Sequence, residues 1–160
     1  MTGQLSWPLL LKRGLDWAHL AAAPRKTVEE FALTLPKRKH AAVRIIRGKR
    51  CGAAGDLFDE FARGLDFPPY FGRNWDALED CLTDLEWLSA EAFVVVMTNA
   101  ELVLKNDPEG WKTMTGILAA SAKHWDSADP PASFHCVFHC EPGSAEDLRG
   151  RLVEGGVAVA

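Results

Sequence analysis

The stretch Ala92-Phe93-Val94-Val95-Val96-Met97 decides the fold of this 160-residue chain. All six residues are apolar, and polar residues bound the run on both sides. A strand that is apolar at every position has both faces buried, which is typical of a central strand in a parallel sheet. The run is also the longest apolar stretch of the chain and is too short to cross a bilayer. We therefore expect a buried central strand and no membrane-spanning segment.

Two more strands are predicted, one before and one after this run. They are Ala41–Arg47 (AAVRIIR), which is rich in β-branched residues, and Ser133–Cys140 (SFHCVFHC). Apolar periodicity predicts helices over 56–65, over 74–88 and after an N-cap at Asp107 followed by Pro108. Because the connections between the strands are long, the strands should run parallel with right-handed crossovers. We expect an α/β fold with a small three-stranded parallel sheet, covered by helices, in the order β-α-α-β-α-β.

Both ends of the chain lie outside this pattern. Residues 1–40 form a predicted basic extension, in which Thr27 and Glu30 have the spacing of a capping box and Pro36 should end a short helix. Its apolar residues favour docking on the predicted domain of residues 41–141. Residues 142–160 form a predicted tail, with a short helix that Ser144 and Asp147 could cap.

Charge is divided unevenly along the chain, although the net charge is only -4. Residues 1–50 hold 11 Lys and Arg against 3 Asp and Glu, a balance of +8. Residues 51–91 hold 2 against 10, a balance of -8, and residues 92–160 hold 5 against 9, a balance of -4. Such asymmetry indicates surfaces that interact with charged partners.

The predicted helix over 74–88 has one apolar face and one acidic face. With about 100° per residue, Asp80, Thr83, Glu79 and Asp84 fall within about 80° of Asp76. The opposite side carries the apolar residues of the helix, namely Leu78, Cys81, Leu82, Leu85 and Leu88.

This acidic face favours a binding site over a merely solvated surface. No Lys or Arg occurs from Asn74 through Leu104, a span that holds seven acidic residues. Like charges three or four residues apart destabilise a helix, and the helix dipole favours acids in the first turn alone. A cationic partner would relieve that cost. Tyr70, Phe71 and Gly72 form a stiff loop just before the helix, and aromatic residues beside charges are common in binding hot spots.

The residues from Leu65 to Thr83, LDFPPYFGRNWDALEDCLT, resemble the signature of the barstar family, intracellular inhibitors of the ribonuclease barnase. The family pattern is Pro-x-Tyr-aromatic-Gly-x-Asn-x-Asp-Ala-Leu-x-Asp-Cys-Leu-Thr, and this chain keeps it without a gap. The wider resemblance covers about residues 41–141, with the same order of elements.

The resemblance implies an inhibitor that occludes a ribonuclease active site and catalyses nothing itself. Asp80 would be the main anchor, Asp76 would form a second ion pair, and Thr83 would hydrogen-bond at the rim. Tyr70 and Gly72 would contact the enzyme from the loop. The remaining residues expected at the interface are Phe71, Asn74, which would also cap the helix, Trp75 and Glu79.

The expected partner is a basic ribonuclease, a toxin made by the same cell, bound in a 1:1 complex in the cytoplasm. No cofactor, metal or membrane is implied. The chain departs from barstar at three positions: Glu79 and Leu85 stand where barstar has tryptophans, and Ser121 stands where it has an acid. These departures predict a differently shaped and more basic partner than barnase.

Three other features offer alternative functions. The glycines at 48, 52 and 55 match neither a dinucleotide-binding nor a P-loop spacing, so we interpret them as a flexible connection. His135 and His139 should lie on one face of a strand and Cys136 and Cys140 on the other, so the four cannot close one zinc tetrahedron. The basic first fifty residues could bind nucleic acid through phosphate contacts, but they carry no RNA-binding signature. Nucleic-acid binding is therefore the weaker alternative.

Overall fold

The computed structural model of the chain describes residues 5–35 and 40–159. Four strands form one sheet: β1 (Ala18–Ala22), β2 (Ala41–Arg47), β3 (Ala92–Thr98) and β4 (Ser133–Cys140). The spatial order is β1-β4-β3-β2, and every neighbouring pair is parallel. The predicted α/β class and parallel sheet are confirmed, as are the three strands predicted from the sequence.

The central position of β3 is also confirmed. All seven of its residues are buried, and it pairs with β2 on one side and β4 on the other. Phe93, Val95 and Met97 join one core cluster, whereas Val94 and Val96 join a second cluster on the opposite face of the sheet. A strand with two buried faces requires a cover on each side of the sheet.

The predicted count of three strands is wrong, because the N-terminal region adds β1 beside β4. Backbone hydrogen bonds continue the pairing at both ends: Cys136 N–H donates to Trp17 O at 2.8 Å, and Ala23 N–H donates to Cys140 O at 3.1 Å. The sequence of β1, AHLAA, lacks β-branched residues and alternation. Its strand conformation comes from tertiary pairing rather than local propensity.

Four helices cover the first face of the sheet. They are α3 (Ala54–Gly64), α4 (Trp75–Leu82), α5 (Pro108–Ser127) and α6 (Ala145–Glu154). Their largest contributions to the core include Phe61, Leu78, Leu82, Leu118 and Leu152, which are fully buried. A buried side chain of this size contributes roughly 2 kcal/mol of transfer free energy, so this face fixes the position of α4 firmly.

Two N-terminal helices cover the second face. They are α1 (Trp7–Leu10) and α2 (Arg25–Ala32), and they pack Leu10, Val28 and Ala32 against the valines of β3 and β4. The predicted capping box is wrong, because Thr27 lies inside α2 and Pro24 precedes its first residue without a side-chain cap. Pro36, predicted to end this helix, lies outside the described residues.

The predicted helix over 74–88 is too long. Helix α4 ends at Leu82, and Leu85 then adopts a left-handed backbone conformation with φ of 47°. Leu85 is buried in the core, and the Trp87 indole N–H donates to Leu65 O at 2.8 Å. These tertiary contacts turn the chain away from the helix axis although the apolar spacing would allow the helix to continue.

Of the N-caps predicted for α5 and α6, the first is confirmed and the second is wrong. Asp107 caps α5 as predicted, since its Oδ1 accepts from the backbone N–H of Gly110 at 2.9 Å. Ser144 precedes α6 but makes no side-chain cap hydrogen bond. Among the helices in the described ranges, none is long and apolar enough to cross a membrane.

One buried carboxylate joins α3 to the edge of the sheet. Glu60 is 4% exposed and accepts hydrogen bonds from the guanidinium groups of Arg47 and Arg63 and from the backbone N–H of Arg47. Burial alone would raise its pKa, but the hydrogen bonds from the two arginines outweigh burial and lower the pKa to about 2.

We expect Glu60→Gln to reduce the free energy of unfolding at pH 7 by about 2 kcal/mol, because it removes the buried carboxylate that accepts hydrogen bonds from two half-exposed guanidinium groups. A carboxylate whose pKa is lower in the folded state stabilises above its unfolded value of 4.5, and that stabilisation is lost as the pH falls towards about 2. Urea unfolding at several pH values measures this, with the exposed Glu109→Gln as control. A gap between wild type and Glu60→Gln that stays constant from pH 7 to pH 2 would contradict the assignment.

Candidate functional site

The candidate site consists of α4 and the loop that leads into it, residues 66–74. Arg73, the single cation between Gly64 and Leu104 in the sequence, pins this loop to α3. Its guanidinium donates to both carboxylate oxygens of Asp59, at 2.8 and 3.1 Å. Arg73 itself has φ of 51°, a left-handed backbone conformation just before the helix begins, and its side chain bridges this turn to α3.

Asn74 then starts the helix, as the sequence predicted. Its backbone is extended, and its side-chain Oδ1 accepts from the N–H of Ala77 at 2.8 Å. Its Nδ2 donates back to Gly72 O at 3.3 Å. One side chain therefore satisfies a free donor of the first helical turn and fixes the path of the loop.

Three acids on α4 point into solvent. Asp76, Glu79 and Asp80 are exposed, while Leu78, Cys81 and Leu82 on the other side are buried. No ion pair within residues 5–35 and 40–159 involves any of these three carboxylates. Asp76 and Asp80 are four residues apart, so their charges lie side by side and repel each other. This acidic face is thus confirmed for the helix proper.

The acidic surface continues past the end of the helix in a different geometry from the one predicted. Thr83 follows α4, and its hydroxyl donates to Glu79 O at 2.9 Å. Asp84 and Glu86 lie in the turn beyond, not on the helix face. Partial desolvation, together with the charges of Asp84 and Glu86, raises the pKa of Tyr70 above its ordinary value. The loop and the turn therefore place these acids near Tyr70.

The aromatic residues of the loop and of the helix start have different surroundings. Tyr70 is 73% exposed, as expected of a contact residue. Phe71 and Trp75 are half-buried and pack edge-on against Phe58, with Trp75 at 4.9 Å between ring centroids. The structure thus gives Phe71 and Trp75 a supporting position beneath the exposed surface. Their direct contact with a partner stays a prediction.

Gly72 is not required by the fold. A Cβ atom at this position would lie 3.4 Å from Asn74 Nδ2 and 3.5 Å from the Cβ of Ala77, which are ordinary contacts. Its backbone does not have a positive φ. The loop could accommodate a larger residue at position 72, so the fold does not explain the glycine. Without a side chain, the exposed backbone is open to close approach by another molecule.

Two of the three departures noted in the sequence are buried. Leu85 is 1% exposed, and Ser121 is fully buried with its hydroxyl donating to Ile117 O at 2.8 Å. Neither side chain reaches the surface that α4 presents. Glu79, in contrast, is exposed and adds a negative charge beside Asp76 and Asp80.

A cleft beside the acidic surface was not predicted from the sequence. It lies at the amino ends of the strands, where Ala41, Ala92 and Ala132 contribute to its wall, and has a volume of about 1030 Å³. Asp84, Glu86, Glu91 and Asp129 line it together with Trp125, and so do Arg13 and His40. These residues come from four separate parts of the chain, so no local pattern could have indicated the cleft.

The alternative sites of the sequence analysis gain no support. Cys136 and Cys140 face the helical core, while His135 and His139 hydrogen-bond on the other face, so the predicted alternation holds. No cluster of three potential metal ligands occurs in the part of the chain that the structure describes. Four cations of the basic region form ion pairs within the chain: Arg25, Lys26, Arg44 and Arg47.

Comparison with known proteins identifies a family. The family model described as "Barstar (barnase inhibitor)" matches residues 41–139. A protein of Bacillus subtilis (strain 168) named "Putative ribonuclease inhibitor YrdF" is 63% identical over 27 residues, which are 17% of this chain and 30% of that protein. The match therefore spans less than a third of that relative's length.

Among solved structures, a chain in "Structure of Drosophila ORC bound to AT-rich DNA and Cdc6" is similar with a TM-score of 0.47. The sequence identity is 13%, and the match covers 88% of this chain and 46% of that chain. We draw no conclusion about fold or function from this likeness.

We expect Asn74→Ala to lower the free energy of unfolding by about 1 kcal/mol, because it removes the N-cap of α4. Thermal or urea unfolding measures the loss. The conservative variant Asn74→Asp keeps an acceptor oxygen at the cap and should recover most of it. Equal losses in the two variants would show that the cap hydrogen bond to Ala77 is not the source of the effect.

Proposed function

The chain belongs to the barstar family, and from this premise we propose that it binds a ribonuclease and inhibits it by covering the active site with α4 and the loop before it. The match over residues 41–139 takes in the whole site described above. One observation carries the proposal: the exposed carboxylates of Asp76 and Asp80 make no ion pair within the described residues.

The chemistry of RNA cleavage explains why such a surface would inhibit. An enzyme that cleaves a phosphodiester must hold negatively charged phosphates, and proteins do so with arginine, lysine and other donors. A carboxylate offers the same charge and acceptor geometry without a bond that the enzyme can cleave. The acidic face of α4 would therefore occupy the phosphate sites of the enzyme and exclude RNA.

Each site residue has a role in this proposal that its position supports. Asp80, near the middle of the acidic surface, is the main anchor, and Asp76 forms a second ion pair one turn earlier. Thr83 hydrogen-bonds at the rim through its free acceptor lone pairs. Tyr70 supplies an exposed ring from the loop, and the open backbone at Gly72 lets the enzyme approach closely.

Further acidic residues around the site favour a strongly basic partner. The exposed Glu79 brings a third carboxylate to the helix face, and Asp84 and Glu86 extend the charge into the turn and the neighbouring cleft. Position 121 on α5 is a serine and position 85 in the turn is a leucine, and both side chains are buried, so neither adds a charge or an aromatic ring to the surface. The interface would therefore depend on α4 and its loop more than on α5.

The proposal includes the biological setting. We place the chain in the cytoplasm, where it would form a 1:1 complex with a ribonuclease toxin made by the same cell and so protect that cell. The exposed acidic surface also supports rapid association, since opposite charges steer two proteins together. The chain itself contributes binding and no chemical step.

We expect the wild-type chain, used as bait, to retain a basic ribonuclease from an extract of the source cell and to abolish its RNA cleavage. Asp76→Ala/Asp80→Ala should lose both retention and inhibition, because both ion pairs are removed. Mass spectrometry of the captured proteins and a fluorescent RNA cleavage assay measure the two effects.

The matched control is Glu146→Ala/Asp147→Ala, which removes the same charge from the exposed first turn of α6, on the side of the sheet near β1. This control should retain and inhibit the ribonuclease like wild type. If both double variants behave alike, either by retaining the enzyme or by losing it, then α4 is not the specific binding surface.

We also expect Asp80→Ala to weaken the complex by about 30-fold or more in Kd, the range of a binding hot spot. Glu86→Ala should cost less than about 5-fold, because an exposed charge at the rim contributes under 1 kcal/mol. Surface plasmon resonance with the captured enzyme measures both values. Equal losses would show that the centre of the interface is not at Asp80.

A further inference from the structure

Three buried histidines join the N-terminal segment to β4. His19 on β1 lies with its Nε2 2.8 Å from Nδ1 of His135, and Nε2 of His135 lies 2.7 Å from Lys12 O. Nε2 of His139 lies 2.8 Å from Ala23 O. The three imidazoles are at most 3% exposed. Each of them therefore connects β4 with a residue between 12 and 23.

The hydrogen bonds fix where the protons are. A carbonyl oxygen can only accept, so Nε2 of His135 carries a hydrogen and its Nδ1 is the acceptor for the N–H of His19. Nδ1 of His139 likewise accepts from the backbone N–H of Asn99 at 2.9 Å, and its Nε2–H donates to Ala23 O. The His135 ring is neutral in this arrangement, because a further proton on its Nδ1 would remove the acceptor of the His19 N–H.

We propose that His19 and His135 form a pH-sensitive clasp, which holds residues 12–23 on the sheet when neutral and releases them when protonated. The proposal stands on the burial of both imidazoles and on the acceptor role of His135 Nδ1 toward His19. It is independent of ribonuclease binding, because α4 packs on the opposite face of the sheet.

Within residues 5–35 and 40–159, one charged side chain acts on both His19 and His135. Asp16 is the acid whose charge reaches both His19 and His135. Neither β3 nor α1 contains an ionisable residue. On α2, Arg25 pairs with Glu29 and Lys26 with Glu30 at the surface. Apart from Asp16, these elements therefore place no free carboxylate where it could balance the positive charge of a protonated imidazole.

The protonation energetics agree with the geometry. Burial, together with the nearby His135, lowers the pKa of His19 to about 4, against the opposing charge of Asp16. Burial also lowers the pKa of His135, against hydrogen bonds from its ring to the backbone at Lys12 and Asp16. A base whose pKa is lower in the docked state stabilises docking above pH 6.5, and that stabilisation is lost as the pH falls towards about 4.

Release would uncover a defined surface. The segment carries β1, so its loss would leave the edge of β4 unpaired, and it tethers α1 and α2, which cover Val94, Val96 and Val137. From the titration of His19 alone, the equilibrium constant for docking of residues 12–23 on the sheet should fall about 20-fold between pH 7 and pH 5. The Glu60 carboxylate, with its pKa near 2, keeps its charge throughout this range.

Hydrogen–deuterium exchange of the full chain tests the clasp. Protection factors are calculated against the exchange rate of the unstructured chain at each pH. We expect the amides of 18–22 to lose at least about 20-fold in protection from pH 7 to pH 5, while those of α4 and α5 change by less than about 3-fold. A uniform loss in all elements, or no loss in β1, would overturn the proposal.

A variant and a second measurement separate the clasp from general acid sensitivity. His19→Gln keeps an amide donor but cannot titrate, so the loss of protection in β1 at low pH should be much smaller than in wild type. The control variants His40→Gln and His124→Gln change exposed rings and should behave like wild type. If His19→Gln does not fold, nitrogen NMR of the wild-type imidazoles decides. His19 and His135 rings that are neutral at pH 7 and titrate below pH 6 support the clasp, and titration of these two rings near 6.5 with β1 still protected overturns it.

Discussion

The burial of β3 on both faces is the constraint on which the rest of the structure depends. Its seven buried residues bring apolar surface to two sides of one sheet, and each side must be covered. Helices α3 to α6 cover one side, and α1 and α2 cover the other. The N-terminal residues therefore help to bury β3. The histidines of β4 make the polar contacts with this N-terminal segment.

The same constraint positions the acidic surface. Helix α4 buries Leu78 and Leu82 in the larger core, which leaves the opposite side, with Asp76 and Asp80, in solvent. The ion pair of Arg73 with Asp59 and the cap by Asn74 fix the entry to the helix, so the charges are held on a rigid support. A preorganised surface loses little conformational entropy on binding, which suits the proposed role of α4 as the inhibitory surface.

Acidic residues at close spacing repel one another and so reduce the stability of the isolated chain. At two other places the fold compensates charges with ion pairs. At Glu60 a buried carboxylate is surrounded by two guanidinium groups, and every exposed basic residue of α2 has an acidic neighbour. Along α4 the described residues provide no such compensation. Asp76, Glu79 and Asp80 therefore form one uncompensated cluster on a single helix face, which the proposed cationic partner would neutralise.

The sequence by itself determined the α/β class, three of the four strands, the start of α4 and the acidic face at Asp76, Glu79 and Asp80. These features depend on local signals: continuous apolar runs, an N-cap residue and helical periodicity. Tertiary structure alone decided the strand AHLAA, the end of α4 at Leu82 and the cleft beside Asp84, because each results from contacts between residues far apart in sequence. Pairing with β4 makes a strand from residues without strand propensity, and the burial of Leu85 ends a helix that periodicity would continue.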